Sequence, residues 1–165
     1  MGIQEVQVSA VLLSGGWEST FCLLQALRKG PVHCFFFDYG QPYQQEEYQA
    51  VSKLQKQFGF PLQIIKVEVP RVGKVFTGRN QLFIKFIKAM GFKQVYFGCR
   101  NLLDCLDPYK DSNKQFAMRL AKQLGIKIIT PALCMPKWLI KHYVMAFNVF
   151  PQSIYSSEGY NYDNL

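Results

Sequence analysis

VQVSAVLLSGGWEST, residues Val6–Thr20, holds the most informative pattern in the chain. Its first part, Val6–Leu13, is apolar and rich in β-branched residues, which is typical of a buried strand. The pair Gly15-Gly16 breaks the strand, and a helix is predicted to begin at Glu18. Such a turn brings backbone N–H groups, hydroxyls and the positive end of a helix dipole together, and it predicts a phosphate-binding loop. A plain strand-to-helix turn with a hydroxyl cap is the alternative.

The rest of the chain repeats this alternation of apolar runs and helix-like segments. The further predicted strands are Val32–Phe37, Leu62–Val67, Gln94–Phe97 and Ile126–Thr130. The predicted helices are Glu18–Lys29, Tyr43–Phe58, Asn80–Met90, Asn113–Leu124 and Pro136–Asn148. Glycine follows most of these helices, as expected of helix C-caps, while 70–78 is predicted to be a loop. The pattern predicts an α/β fold: a Rossmann-like, doubly wound sheet of about five parallel strands with helices on both faces.

The composition favours one folded domain with an anionic ligand. The 165 residues are 49% hydrophobic and 18% charged, and 19 basic against 11 acidic residues give a net charge of +8. This excess favours phosphates, nucleotides or nucleic acid, without choosing among them. We expect a domain over 1–150 and an irregular tail over 151–165.

The sequence also indicates a compartment. Its apolar runs are too short for a membrane span, and its N-terminus does not resemble a secretory signal. The five cysteines are odd in number and lack CxxC spacing, which argues against disulfides and zinc knuckles. We therefore expect a cytoplasmic protein without a membrane contact.

Five stretches, in order, resemble signatures of the 7-cyano-7-deazaguanine synthase family of PP-loop ATP pyrophosphatases. They are SGGWEST (14–20), FFFDYGQ (35–41), TGRN (77–80), GCRNLLD with PYKDSNKQF (98–116), and PALCMPKWLI (131–140). The resemblance covers nearly the whole chain and implies the adenine nucleotide alpha hydrolase-like version of the Rossmann-like fold. It also implies ATP and magnesium as cofactors, a deazaguanine carboxylate and ammonia as substrates, and a homodimer.

The resemblance further implies roles for individual residues. Those expected to bind ATP are Leu13, Ser14, Gly15, Gly16, Glu18, Ser19, Thr20, Phe37, Asp38, Tyr39 and Gln41. Those expected to face the substrate are Arg79, Asn80, Asn101, Asp104 and Asp111. Catalytic roles are expected for Ser14, Glu18 and Arg79. Taken by themselves, Asp38 could simply form a turn and Asn80 could simply cap a helix.

Three departures from the family pattern stand out. Glu18 occupies the place of the family's aspartate, so its carboxylate lies one methylene farther out. Ser157 stands where the first cysteine of the family's zinc site is expected, and the sequence contains no candidates for the other three ligands, so we expect no zinc. The segment 111–115, DSNKQ, stands where the family has a segment that contains an arginine and a glutamate. The loss of these two residues indicates altered substrate recognition.

These observations lead to three hypotheses. The first is an ATP-dependent C–N ligase that adenylates the carboxylate of 7-carboxy-7-deazaguanine, or a relative, for attack by ammonia. The second is a degenerate binder of nucleotide or deazaguanine without turnover. The third is a PP-loop protein that acts on nucleic acid, which the scattered distribution of the lysines does not favour.

Overall fold

The computed structural model describes residues 6–72, 75–76, 78–99 and 114–155. The strands are β1 (Ser9–Leu12), β2 (Val32–Asp38), β3 (Leu62–Lys66), β4 (Arg71–Val72), β5 (Val75–Phe76), β6 (Gln94–Tyr96) and β7 (Lys127–Ile129). The helices are α1 (Trp17–Leu27), α2 (Gln44–Phe58), α3 (Arg79–Ala89), α4 (Lys114–Leu124) and α5 (Lys137–Ala146), followed by one 3₁₀ turn, Pro151–Ser153.

Five of these strands form one parallel sheet in the order β3-β2-β1-β6-β7. The chain runs outward from β1 through β2 to β3, then crosses to the other side of β1 for β6 and β7. The chain therefore advances from β1 toward one edge of the sheet through β2, and later toward the other edge through β6. In open α/β sheets, ligands bind at the carboxyl ends of the strands where the order reverses in this way. This topology places the expected site between β1 and β6.

The core lies on both faces of the sheet. Along β1, Val11 packs with one buried cluster and Ala10 with the other, because successive side chains of a strand point to opposite faces. One cluster holds residues of α1, α2 and α5, and the other holds residues of α3 and α4. The predicted doubly wound, parallel α/β fold is therefore confirmed.

The predicted strands and helices of the main sheet are all present, with ends that shift by a few residues. The antiparallel pair β4–β5 was not expected, because a loop is predicted over 70–78. Each of its strands has two residues, which is too short for a period to show in the sequence.

The part of the tail that the structure describes packs on the domain. Ile154 is 7% exposed and belongs to the cluster that contains α1 and α5. The division at residue 150 stays a prediction. None of the described helices is long and apolar enough to cross a bilayer.

Candidate functional site

A cavity of about 230 Å³ opens at the carboxyl ends of β1, β2 and β6, at the point where the strand order reverses. Its walls come from these three strand ends and from the first turns of α1, α2 and α3. The lining residues are Leu12, Leu13, Ser14, Glu18, Ser19, Phe35, Phe36, Phe37, Tyr39, Glu47, Arg79, Asn80, Phe83, Phe97 and Gly98. The cavity combines charged groups of both signs with aromatic rings.

The loop between β1 and α1 is held by a set of hydroxyl hydrogen bonds. Ser19 Oγ accepts hydrogen bonds from the backbone N and from Oγ of Ser14, both at 3.2 Å, and donates to Gly16 O at 3.2 Å. Gly16 is extended, at φ −79° and ψ 170°, and precedes the first turn of α1. Two cavity-lining hydroxyls therefore lie beside the positive end of a helix, which is an arrangement suited to an anion.

Two glycines allow the close approach of neighbouring elements to this loop. A methyl group on Gly15, whose φ is +79°, would lie 2.8 Å from Ala50 Cβ and 2.9 Å from Glu47 O in α2. A methyl group on Gly98 would lie 3.0 Å from Ser19 N in α1. The loop is therefore packed between α2 and the end of β6, and only glycine fits at Gly15 without displacement.

The turn after β2 is organised by the side chain of Gln41, which is 8% exposed. Its amide nitrogen donates to Phe37 O at 3.1 Å and to Glu47 Oε2 at 2.8 Å, and its amide oxygen accepts from Tyr39 N at 3.0 Å. Asp38 Oδ1 accepts from Gly40 N at 3.3 Å, so Asp38 has the turn-forming role that its residue type allows. Gln41 thus supports the cavity wall without lining it.

Arg79, Tyr39 and Glu47 form a second polar group in the cavity lining. Arg79 is the first residue of α3, and its Nη1 donates to Tyr39 Oη at 2.6 Å. Burial raises the pKa of the Glu47 carboxyl, while the hydrogen bond from Gln41 and the Arg79 guanidinium act in the opposite direction. A cation and a carboxyl group therefore line the same cavity as the loop hydroxyls.

The cavity brings together many, though not all, of the predicted site residues. Those that line it are Leu13, Ser14, Glu18, Ser19, Phe37, Tyr39, Arg79 and Asn80. Those that do not are Gly15, Gly16, Thr20, Asp38 and Gln41. The predicted residues Asn101, Asp104 and Asp111, and the zinc-site position Ser157, lie outside the described residues.

Two predicted residues have unexpected surroundings. Thr20 is 0% exposed, and its hydroxyl has no hydrogen-bond partner among the described residues. Ser19, its neighbour on α1, provides the hydroxyl that lines the cavity. Asn80 was a candidate helix cap, but α3 begins at Arg79, so Asn80 lies inside the helix and in the cavity wall.

Several lining residues were not predicted. They are Leu12, Phe35, Phe36, Glu47, Phe83, Phe97 and Gly98. The only sequence signal for Glu47 is its place in the first turn of a helix that follows the FDYGQ turn. Phe83 lies one helical turn after Arg79, so it shares the face of α3 that Arg79 presents.

Cys99 and the carboxylates of the cavity bear on the chemistry that this site can support. Cys99, directly after Gly98, is buried, and burial raises its pKa to about 11. It is therefore a thiol at neutral pH and a poor nucleophile. The described residues contain no group of three or more His, Cys, Asp or Glu side chains suited to a metal. Glu18 and Glu47 nevertheless offer carboxylate oxygens of the kind that magnesium uses together with nucleotide phosphates.

The partly buried position of Glu47 predicts a pH-dependent effect on stability. Because the pKa of Glu47 is raised in the folded state, its ionisation costs free energy of folding; this cost begins as the pH rises past the ordinary pKa of a glutamate, grows up to the raised pKa and is constant above it. We expect Glu47→Gln to raise the melting temperature at about pH 7, and the gain to vanish below about pH 4. Thermal unfolding across this range is the measurement. Glu46→Gln, which removes a charge from an exposed neighbour on α2, is the control, and an equal gain there would contradict the prediction.

The fold and the cavity define the class of this protein. It is an α/β protein with a Rossmann-like fold of the adenine nucleotide alpha hydrolase-like type. Two solved structures share this fold. One is described as a predicted subunit of tRNA methyltransferase from Methanocaldococcus jannaschii, with a TM-score of 0.58 and 17% identity over 85% of this chain and 75% of the other. The second, PH1313 from Pyrococcus horikoshii, has a TM-score of 0.52 and 14% identity over 87% of this chain and 41% of the other. At these identities the likeness concerns the fold alone.

The sequence comparisons are more specific. Residues 8–103 match the family model of the queuosine biosynthesis protein QueC, and the chain belongs to this family. A 7-cyano-7-deazaguanine synthase from Leptospira interrogans is 30% identical over 164 residues, covering 74% of this chain and 66% of the relative. One from Thermoplasma volcanium is 29% identical over 153 residues, covering 73% and 61%. The chain thus spans less than two thirds of the length of these relatives.

Proposed function

We propose that the protein is an ATP-dependent C–N ligase of queuosine biosynthesis, which activates the carboxylate of 7-carboxy-7-deazaguanine or a close relative. Membership of the QueC family supports the pathway. One observation carries the proposal to this site: a single cavity at the switch point of the sheet contains the loop hydroxyls, Glu18 and Arg79. Adenylation needs charge stabilisation on phosphates more than it needs a protein nucleophile, and the cavity offers such groups.

In this proposal the loop binds the phosphates of ATP. Ser14 and Ser19 contribute hydroxyls, and the first turn of α1 contributes the positive end of its dipole. Magnesium, when bound, would neutralise phosphate charge, and Glu18 and Glu47 are the residues that would hold it. The glutamate at position 18 retains the charge of the family's aspartate with a longer reach.

The flat rings of the nucleotide and of the deazaguanine would find aromatic partners in the same cavity. The rings of Phe37 and Phe83 stack with centroids 4.1 Å apart, and the Tyr39 ring lies 5.5 Å from Phe83. Arg79 and Asn80, at the start of α3, would face the substrate carboxylate. A planar guanidinium can pair with a carboxylate through two parallel hydrogen bonds.

The proposed reaction converts the substrate carboxylate to an amide and then to a nitrile. A carboxylate oxygen of the substrate attacks the α-phosphorus of ATP, and pyrophosphate leaves with the bonding electrons of the broken P–O bond. Ammonia then attacks the acyl carbon, AMP leaves with the electrons of the broken C–O bond, and loss of one proton to solvent gives the amide. The amide oxygen attacks the α-phosphorus of a second ATP, a second pyrophosphate leaves, and loss of AMP and two protons gives the nitrile. We propose cytoplasmic action and a homodimeric assembly for this enzyme, as its family resemblance implies.

The test is an assay with ATP, magnesium, ammonia and 7-carboxy-7-deazaguanine, in which pyrophosphate and deazaguanine products are followed, the latter by mass. We expect an amide or nitrile product, and we expect Ser14→Ala to slow pyrophosphate release by about 10- to 100-fold, because a hydroxyl that donates to a charged phosphate is lost. Ser52→Ala removes a hydroxyl from α2 outside the cavity and should leave the rate unchanged. Binding of ATP or deazaguanine without any product would contradict the enzyme and favour a binding protein.

A further inference from the structure

The last described residues of the chain return to the glycine loop. Tyr155 N donates a hydrogen bond to Gly15 O at 2.8 Å, although the two residues lie near opposite ends of the chain. The Tyr155 carbonyl oxygen lies 3.8 Å from the point that a Cβ of Gly16 would occupy. One backbone segment is therefore in contact with both glycines of the loop.

This hydrogen bond acts on a peptide group that would otherwise rotate easily. Gly15 and Gly16 lack side chains, so the peptide between them can turn over at little steric cost. The Gly15 carbonyl and the Gly16 N–H belong to this one planar trans peptide and point in nearly opposite directions. A hydrogen bond that holds the carbonyl toward Tyr155 therefore directs the Gly16 N–H away from the tail.

Tyr155 is itself anchored by its neighbours. Ile154 is buried in the core, and Lys53 Nζ in α2 donates to Gln152 O at 2.9 Å. The Tyr155 ring lies 5.7 Å from the ring of Tyr43, next to the start of α2. Burial, together with Glu47, Tyr43, Glu46 and Tyr39, raises the pKa of Tyr155 to about 12. The donor at Tyr155 is therefore held by the residues that precede it and by the contact of its ring with Tyr43.

We propose that Tyr155 is a positioning residue for the phosphate loop: its backbone N–H fixes the orientation of the Gly15–Gly16 peptide, and with it the course of the loop whose Ser14 and Ser19 line the proposed ATP site. The inference rests on the proposed nucleotide site and adds to it a contribution from the tail. It makes the described part of the tail a component of the binding site, although the segment is distant from the loop in sequence.

The test compares Tyr155→Pro with Tyr155→Ala in the full chain. Both remove the ring, but only proline removes the N–H. Ile154, at φ −116° and ψ 131°, already has the conformation that a residue before proline prefers. Trp138→Phe, at a side chain 69% exposed on α5, leaves Trp17 of α1 as the only tryptophan and thus as a fluorescent reporter beside the loop.

ATP binding is measured by the fluorescence of Trp17. We expect Tyr155→Pro to weaken binding about five- to tenfold more than Tyr155→Ala does, because only the proline variant loses the hydrogen bond. Amide hydrogen exchange in the loop should be faster in the proline variant, while exchange in β2 stays the same. Lys53→Met, which releases Gln152 without touching Tyr155, should shift ATP affinity in the same direction by a smaller factor and provides a second test if the proline variant does not fold.

The outcomes separate the two proposals. Equal ATP affinity and equal loop exchange in the proline and alanine variants would overturn the positioning role, whatever the enzyme does. Wild-type protein that binds ATP but releases no pyrophosphate would contradict the proposed enzyme alone. Wild-type protein that does not bind ATP would contradict both.

Discussion

Gly15→Ala is expected to abolish ATP-dependent pyrophosphate release and to lower the free energy of unfolding by about 2–5 kcal/mol. Two separate costs contribute. A side chain at φ +79° is strained by about 1–2 kcal/mol, and its Cβ would come within 2.9 Å of both Ala50 Cβ and Glu47 O. Because Glu47 O belongs to the backbone of α2, the loop must move rather than its neighbour. Pyrophosphate assays and denaturant unfolding measure the two effects.

A matched variant separates strain from collision. Gly59, at the end of α2, has φ +70°, and a Cβ there would meet nothing within 4 Å. Gly59→Ala should therefore show the conformational cost alone, about 1–2 kcal/mol, with normal activity. If both variants lost the same stability and kept the same activity, the close packing of the loop against α2 would have no functional importance.

Arg79→Ala is expected to lower kcat/KM for ATP-dependent product formation by about 100-fold or more. The guanidinium lies in the cavity wall, directed by its hydrogen bond to Tyr39 Oη, where charge on a phosphate or carboxylate would be stabilised. Arg79→Lys should restore little of the activity, since an ammonium cannot reproduce a planar pair of donors. Steady-state kinetics with ATP and the deazaguanine carboxylate as varied substrates measure both effects.

The control for Arg79 is an arginine of equal charge elsewhere. Arg119 is exposed on α4 and does not line the cavity, so Arg119→Ala should retain wild-type kinetics. An unchanged kcat/KM in Arg79→Ala, with the fold intact by circular dichroism, would mean that Arg79 serves only to hold Tyr39.

Much of the fold could be predicted from local patterns. The run Val6–Leu13 and the pair Gly15-Gly16 indicate a strand and a loop without reference to the rest of the chain. The helix end at Gly59 is likewise local, because Gly59 adopts the left-handed conformation of a helix C-cap. The pair β4–β5 could not be predicted, since strands of two residues have no measurable period.

Site residues that belong to one local motif could be predicted from the sequence. Those that the strand order brings to the cavity from distant parts of the chain could not. Ser14 and Glu18 belong to the loop itself, and both line the cavity. Gly98 and Phe83 reach the cavity only because β6 pairs with β1 and α3 packs near β2, which a sequence does not reveal. Whether Ser19 or Thr20 lines the cavity depends on which face of α1 is turned toward the core. Adjacent residues of a helix point in directions about 100° apart, and the side chain of Thr20 is the one that is fully buried.

The order of the strands also bears on synthesis at the ribosome. β1 and the glycine loop are made first, yet β1 lies between β2 and β6, and the Gly15 carbonyl is bonded to Tyr155. Most of the chain must therefore emerge before the loop has its final neighbours. Chains normally fold during synthesis from the N-terminus, and contacts distant in sequence form late. A nascent chain that lacks the segment around Tyr155 would consequently carry the loop without the hydrogen bond to Gly15 O, so that the loop acquires its full set of contacts only after residue 155 has emerged.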